Sequence, residues 1–191
     1  MAPFAMQFVP QSAQREVPWR NGGGSTREVA IDPPGASVAS GFRWRISIAG
    51  VAADGPFSSF PGIDRSLWLL RGGGLQLRMD GREVTLARRY ERIDFAGEMA
   101  VQARLLAGAT EDLNVMVARD TCRSSSDVLA VPRGSFDRDL GTGQHVVLAL
   151  DGALEVAGVA LAPGDAVRLG GSGRCAVTTA GAATFLLASF W

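Results

Sequence analysis

The chain never runs long without a glycine, and between glycines its apolar and polar residues alternate. Glycine fills 24 of 191 positions. Short alternating segments bounded by turn residues fold as strands, with successive side chains on opposite faces. "FRWRISIAG" (42–50) is the clearest case. Phe42, Trp44, Ile46 and Ile48 share one face, and Arg43, Arg45, Ser47 and Ala49 share the other. Further strands are expected at "TREVAI", "SLWLL", "GLQLRM", "EVTL", "RIDF", "LNVMVA", "HVVLAL", "ALEV", "DAVRL", "RCAVTT" and "ATFLLASF". Asp80-Gly81 and Asp151-Gly152 sit between apolar runs, where Asp-Gly favours tight hairpins. "LARRYER" (86–92) is the one segment with helical character. The fold class is all-β, an antiparallel sandwich or barrel.

Two stretches echo each other. "LLRGGGLQLRMDGREVTLARRYERIDFAG" (69–97) lies over "LALDGALEVAGVALAPGDAVRLGG" (148–171) with a small gap. Each reads as strand, glycine turn, strand, turn, strand, turn, strand. The turn Pro163-Gly164-Asp165 before "AVRL" resembles the cupin pattern. Two such halves resemble a bicupin, two jelly-roll barrels in one chain. The expected organisation is a single bicupin unit over 1–191, with an N-terminal half at about 17–119 and a C-terminal half at about 120–191.

Composition removes several classes of function. All 19 basic residues are arginine, against 19 acidic ones. Without lysine, Schiff-base chemistry is excluded, and "NGGGST" (21–26) lacks the lysine of a phosphate loop. The arginines form no tail or stripe, so no nucleic-acid partner is expected. The longest apolar run, "ATFLLASFW", is too short to span a bilayer, so no membrane partner is expected. Two cysteines do not make a disulfide framework, and no leader pattern opens the chain. The expected compartment is the cytoplasm.

Metal and nucleophile chemistry are poorly supplied. Cupin barrels often hold a metal with two or three histidines plus a glutamate, but His145 is the only histidine. It reads as a strand histidine near a barrel rim. A serine nucleophile needs an adjacent base, and no G-x-S-x-G occurs. Cys122, in "RDTCRSSS", reads as a loop cysteine. No cofactor and no metal are expected.

Three blocks carry a resemblance: "PWRNGGGSTREV", "FRWRISIAGVAADGPFSSFPGIDRSLWLLRGGGLQL" and "DLNVMVAR". Together they resemble the HutD/Ves family of bacterial cupin-like proteins, with Arg20 standing where the family usually has lysine. The resemblance implies a bicupin β-fold and a part in the control of bacterial histidine utilisation rather than a catabolic step. It implies a small acylated amino acid, such as N-formylglutamate, as ligand.

The residues in these blocks define a candidate binding site. Arg45 and Ser47 point together, and a buried arginine requires an anionic or multi-acceptor partner, either a ligand carboxylate or an internal acid such as Asp64 or Glu28. "DGPFSSFPGIDR" is a proline-stiffened segment that reads as a pocket wall, with Phe57 and Ser58 inside it and Arg65 at its end as the leading anion contact. Asn114 and Met116 share one face of their strand. The glycine turn is expected to bring Trp19, Arg20, Asn21 and Thr26 toward Arg45 and Asn114.

Three functions follow. The first is a non-enzymatic, metal-free cupin that binds a small carboxylate and modulates histidine utilisation. The second is a metal-independent isomerase or epimerase using His145, Tyr90, Asp64 or Asp112 as acid and base. The third is a structural barrel whose sheet faces form a homodimer.

Overall fold

The computed structural model describes residues 4–19 and 24–191. Its described residues are strands and turns, apart from one short 3-10 turn at Gln11–Ala13. The strands are β1 (Ala5–Val9), β2 (Arg15–Pro18), β3 (Gly24–Asp32), β4 (Trp44–Val51), β5 (Gly55–Pro56), β6 (Ile63–Gly72), β7 (Leu75–Met79), β8 (Arg82–Leu86) and β9 (Arg92–Ala96). They continue with β10 (Val101–Leu105), β11 (Thr110–Ala118), β12 (Ser124–Val131), β13 (Gly134–Asp151), β14 (Leu154–Val156), β15 (Val159–Leu161), β16 (Ala166–Thr179) and β17 (Ala183–Phe190).

The chain divides into two compact units, one over 15–122 and one combining 1–14 with 123–191. The first unit holds a six-stranded sheet, β2-β3-β4-β11-β6-β9, and a four-stranded sheet, β5-β10-β7-β8. Leu67 and Leu69 of the larger sheet pack with Leu75, Leu77, Met79, Val101 and Ala103 of the smaller one, so a shared core joins the two. The second unit is a seven-stranded antiparallel sheet in the order β12-β17-β13-β16-β14-β15, with β1 added alongside β16. Its core runs through Val147, Leu161, Val167, Leu169, Val177 and Phe185.

The expected jelly-roll barrels are open. Among the described residues the strand order of each sheet is linear and none returns to its first strand. In the first unit the chain leaves one sheet for the other at Gly72-Gly73-Gly74, and β8 and β9 form no ladder with each other. The unit is therefore a two-sheet sandwich with a gap between those edges.

Two turns depart from expectation. Asp80-Gly81 does form the β7–β8 hairpin, with both residues at positive φ. Asp151-Gly152 does not, because β13 and β14 are not paired with each other. Gly152 turns a corner against the 182–183 backbone, where any Cβ would lie 2.3 Å from the Ala182 carbonyl oxygen. Nor does 86–92 form a helix. Tyr90 sits at φ 68°, and the Glu91 carboxylate accepts from the Ala87 and Arg88 amides, which closes a tight turn.

Candidate functional site

The site grows from strand register in the first unit. On β11, Asp112, Asn114 and Met116 share a face. Across β4 they meet Ala49, Ser47 and Arg45. Across β6 they meet Leu69, Leu67 and Arg65. The Leu67 and Leu69 side chains belong to the core between the two sheets, so this face is the inner one. Six polar residues on it are buried: Arg45, Ser47, Arg65, Thr110, Asp112 and Asn114. The opposite face of β4, with Trp44, Ile46 and Ile48, is buried as well. Alternation in this strand therefore separates polar from apolar rather than wet from dry.

The two arginines are satisfied differently. Arg45 donates from Nε to Glu28 at 2.8 Å, a largely buried ion pair. An internal acid thus supplies its partner, and that acid is Glu28. Asp64, the other candidate, pairs with Arg119 instead. Arg65 donates from one terminal nitrogen to Asn114 Oδ1 at 2.7 Å. Among the described residues no carboxylate lies within salt-bridge distance of it, and its Nε finds no hydrogen-bond partner. Three rings surround the guanidinium, Phe95 at 4.9 Å, Phe57 at 5.4 Å and Phe60 at 5.5 Å from the ring centres. Such contacts attract a cation to the ring face. Burial pushes the Arg65 pKa down to about 10, with Asp112 opposing and Arg45 adding to the fall.

Asp112 completes the row. Asn114 Nδ2 donates to its Oδ1. Among the described residues its Oδ2 has no partner, and neither does the buried Thr110 hydroxyl two residues before it. Burial pushes the Asp112 carboxyl up to about 7, against the opposing pull of Arg65 and the Asn114 hydrogen bond. A chain of contacts thus runs Arg65–Asn114–Asp112 across two strands.

The segment after β5 supplies the ring contacts. Phe57 and Phe60 are half-buried against Arg65, whereas Ser58 and Ser59 are exposed. The segment is held by the Phe57 amide donating to the Val101 carbonyl and the Phe60 amide donating to the Gly97 carbonyl. An open groove of about 470 Å³ lies beside this cluster, lined by Met79, Asp80, Arg82, Val84, Asp94, Phe95 and Met99. It occupies the unpaired gap between β8 and β9. Phe95 forms part of its wall and also touches Arg65.

Of the residues picked from sequence, Arg45, Ser47, Phe57, Arg65, Asn114 and Met116 come together here. Thr26 lies two strands away on the same face and accepts from Trp19 Nε1 at 2.8 Å. The Trp19 amide donates to the Gly24 carbonyl next to the β2–β3 ladder. Arg20 and Asn21 fall outside the described residues. Ser58 is exposed. The sequence points to neither Phe60 nor Phe95 as a contact, and to Asp112 only as an acid-base group. Asp112 shares the alternation that singled out Asn114, so the pattern could have found it. Nothing local marks Phe95.

His145 stands on β13, in the second unit. The Ser189 hydroxyl lies 2.9 Å from Nδ1, and the Gly141 and Gly171 carbonyls lie 3.0 and 3.2 Å from Nε2. Carbonyls only accept, so Nε2 carries a proton. Cys122 is buried. Among the described residues no three His, Cys, Asp or Glu side chains cluster as metal ligands. Nor is any helix among them long and apolar enough to cross a membrane.

The described residues form an all-β fold that is cupin-like, with buried polar groups on one inner sheet face. In fold alone it resembles a conserved-barrel cupin from Leptotrichia buccalis, with TM-score 0.59, 12% identity and coverage of 92% and 95% of the two chains. The HutD family model matches residues 11–187, and the chain belongs to the HutD family. Protein Ves of Citrobacter koseri is 35% identical over 158 residues, 82% of this chain and 75% of that protein. An uncharacterised 21.2 kDa protein from the hutC 3′ region of Pseudomonas putida is 37% identical over 62% of each chain. Among solved structures, a conserved protein of unknown function from Pseudomonas aeruginosa PAO1 superposes with TM-score 0.88 at 32% identity, covering 97% and 98% of the chains. HutD from Pseudomonas fluorescens SBW25 superposes with TM-score 0.83 at 27% identity and the same coverage.

Proposed function

We propose that this chain is a non-enzymatic, metal-free, bicupin-type protein that binds a small carboxylate metabolite and thereby modulates histidine utilisation. One observation carries the reading. Arg65 is a buried cation with a free Nε–H and no carboxylate within salt-bridge distance among the described residues. Buried charges are ordinarily paired, and a planar carboxylate is the natural partner of a guanidinium. Phe57, Phe60 and Phe95 supply an apolar lining, and Asn114 holds one edge of the guanidinium in place. The groove between β8 and β9 is the route of entry. Kinship with a protein from a hutC region and with a protein called HutD supports the pathway. In that setting N-formylglutamate is the leading candidate ligand.

Thermal-shift titration with histidine-pathway intermediates tests the proposal. N-formylglutamate or a related carboxylate is expected to raise Tm by several degrees, since a ligand at one hundred times its Kd adds about 2.7 kcal/mol. Arg65→Met should abolish the shift. If no intermediate stabilises the protein, or if Arg65→Met responds as the native chain does, the proposal fails.

The acid-base alternative finds less support. His145 belongs to the other unit with both ring nitrogens engaged, and of its four candidates only Asp112 lies in the cluster.

A further inference from the structure

Three buried polar atoms that have no partner among the described residues fall on the same sheet face: Arg65 Nε, Asp112 Oδ2 and Thr110 Oγ1. Asn114 bridges the first two residues, accepting from Arg65 through Oδ1 and donating to Asp112 through Nδ2. Building on the carboxylate-binding reading above, we propose that anion entry at Arg65 and proton uptake at Asp112 are one linked event relayed through Asn114.

Above its titration, and with no ligand on Arg65, the ionised Asp112 is the counter-charge of the guanidinium, held one amide away. A ligand carboxylate on the guanidinium takes over that role. Asp112 would then be a second negative charge in a region closed to water, next to the new anion. Two carboxylates sharing one dry site do not both stay ionised. The Asp112 carboxylate therefore accepts a proton from solvent as the ligand enters and releases it as the ligand leaves. Burial already holds this carboxyl near neutrality, at about 7, so the exchange falls within the ordinary working range.

The surrounding charges are few. Ala49 of β4 and Leu69 of β6 stand directly opposite Asp112. Glu111, its chain neighbour, adds a negative field, and Arg65 a positive one. Arg45 of β4 lowers the Arg65 pKa but is itself neutralised by Glu28 of β3. The four-stranded sheet contributes Leu75, Leu77, Met79, Leu86, Val101 and Ala103 to the shared core, none of them titratable.

Titration calorimetry of the full chain with acetate and with glutarate tests the linkage from pH 6 to 8.5, where both probes stay ionised. Each run is repeated in two buffers of different ionisation enthalpy, which reports protons taken up per ligand bound. Affinity should be level at the acid end and should fall by up to about tenfold per pH unit above the Asp112 titration. Proton uptake should approach one per ligand toward the alkaline end. In Asp112→Asn, a neutral isostere, both the pH slope and the uptake should vanish while binding persists. Binding without proton uptake in the native chain overturns the linkage and leaves the carboxylate site standing. A slope retained in Asp112→Asn also overturns it. The native-chain measurement alone decides the matter if that variant does not fold. No binding of either probe at any pH overturns both proposals.

Discussion

Arg45 and Arg65 stand on the two strands that flank β11, each directly opposite Met116. Met116 is almost fully buried and sets an apolar side chain between two like charges. The guanidiniums still sense each other, since Arg45 lowers the Arg65 pKa. Glu28 makes this tolerable by neutralising Arg45. Breaking a buried pair by removing one partner costs far more than the pair contributes, because an uncompensated charge stays behind. Glu28→Gln should therefore destabilise the chain by about 3 kcal/mol in urea unfolding, at the lower end of the range for such losses because Glu28 is partly exposed. A loss below about 0.5 kcal/mol would show that Arg45 is hydrated after all. The partnership was half-readable in the sequence. Alternation put Arg45 and Ser47 on one face, and burial then demanded an acid. Choosing between Glu28 and Asp64 required the β3–β4 register, which carries a bulge after Glu28 that no local pattern announces.

At the scale of elements, the candidate site depends on how the segment between β5 and β6 is pinned. Gly97, just past β9, meets it at close quarters. A Cβ there would stand 2.5 Å from the Phe60 carbonyl oxygen and 2.8 Å from that of Ile63. Both obstacles are backbone, so the segment itself would have to move. Gly97→Ala should cost about 1–3 kcal/mol, the usual range for overpacking. It should also weaken carboxylate binding by shifting Phe60 away from Arg65. Thermal unfolding and calorimetry would check the two effects, and an unchanged Tm would refute the close contact. Strand identities were largely readable from alternation, as β4, β6, β11 and β17 show. The strand β12 was hidden by its opening "SSSD", which reads as turn. "DAVRL" and "RCAVTT" looked like two strands but form one, β16, running through Gly170-Gly171-Ser172-Gly173. Glycines signal turns locally, yet pairing with the 18-residue strand β13 carries this stretch through. The rings around Arg65 were only partly foreseeable, because Phe95 reaches it from another strand.

At the scale of the whole molecule, sequence order and spatial grouping part company at the N-terminus. Strand β1 joins the unit made mainly from 123–191, pairing residue by residue with Ala166–Gly170 of β16. Its hold is extended by the Gln11 amide on Asp165 and by Gln14 Nε2 on the Gly164 carbonyl. Phe4 adds an edge-on contact with His145. Deleting residues 1–14 should strip amide-exchange protection from one side of β16 between 166 and 170, while amides of β4 and β11 keep theirs. Equal loss in both units would mean that they unfold as one. The halves suggested by the internal echo placed a boundary near 120 and had no means of assigning β1, because an edge strand's partner is not written in its own alternation.

The placement of β1 also bears on how the chain is made. A ribosome emits β1 well before β16, so β1 must wait, unpaired and rich in apolar side chains, while the strands between them are made. Residues 15–122 have no such delay, since every ladder they form closes within themselves. The arginine cradle can thus be assembled on the nascent polypeptide, whereas the other sheet cannot take up β1 until β16 has been made.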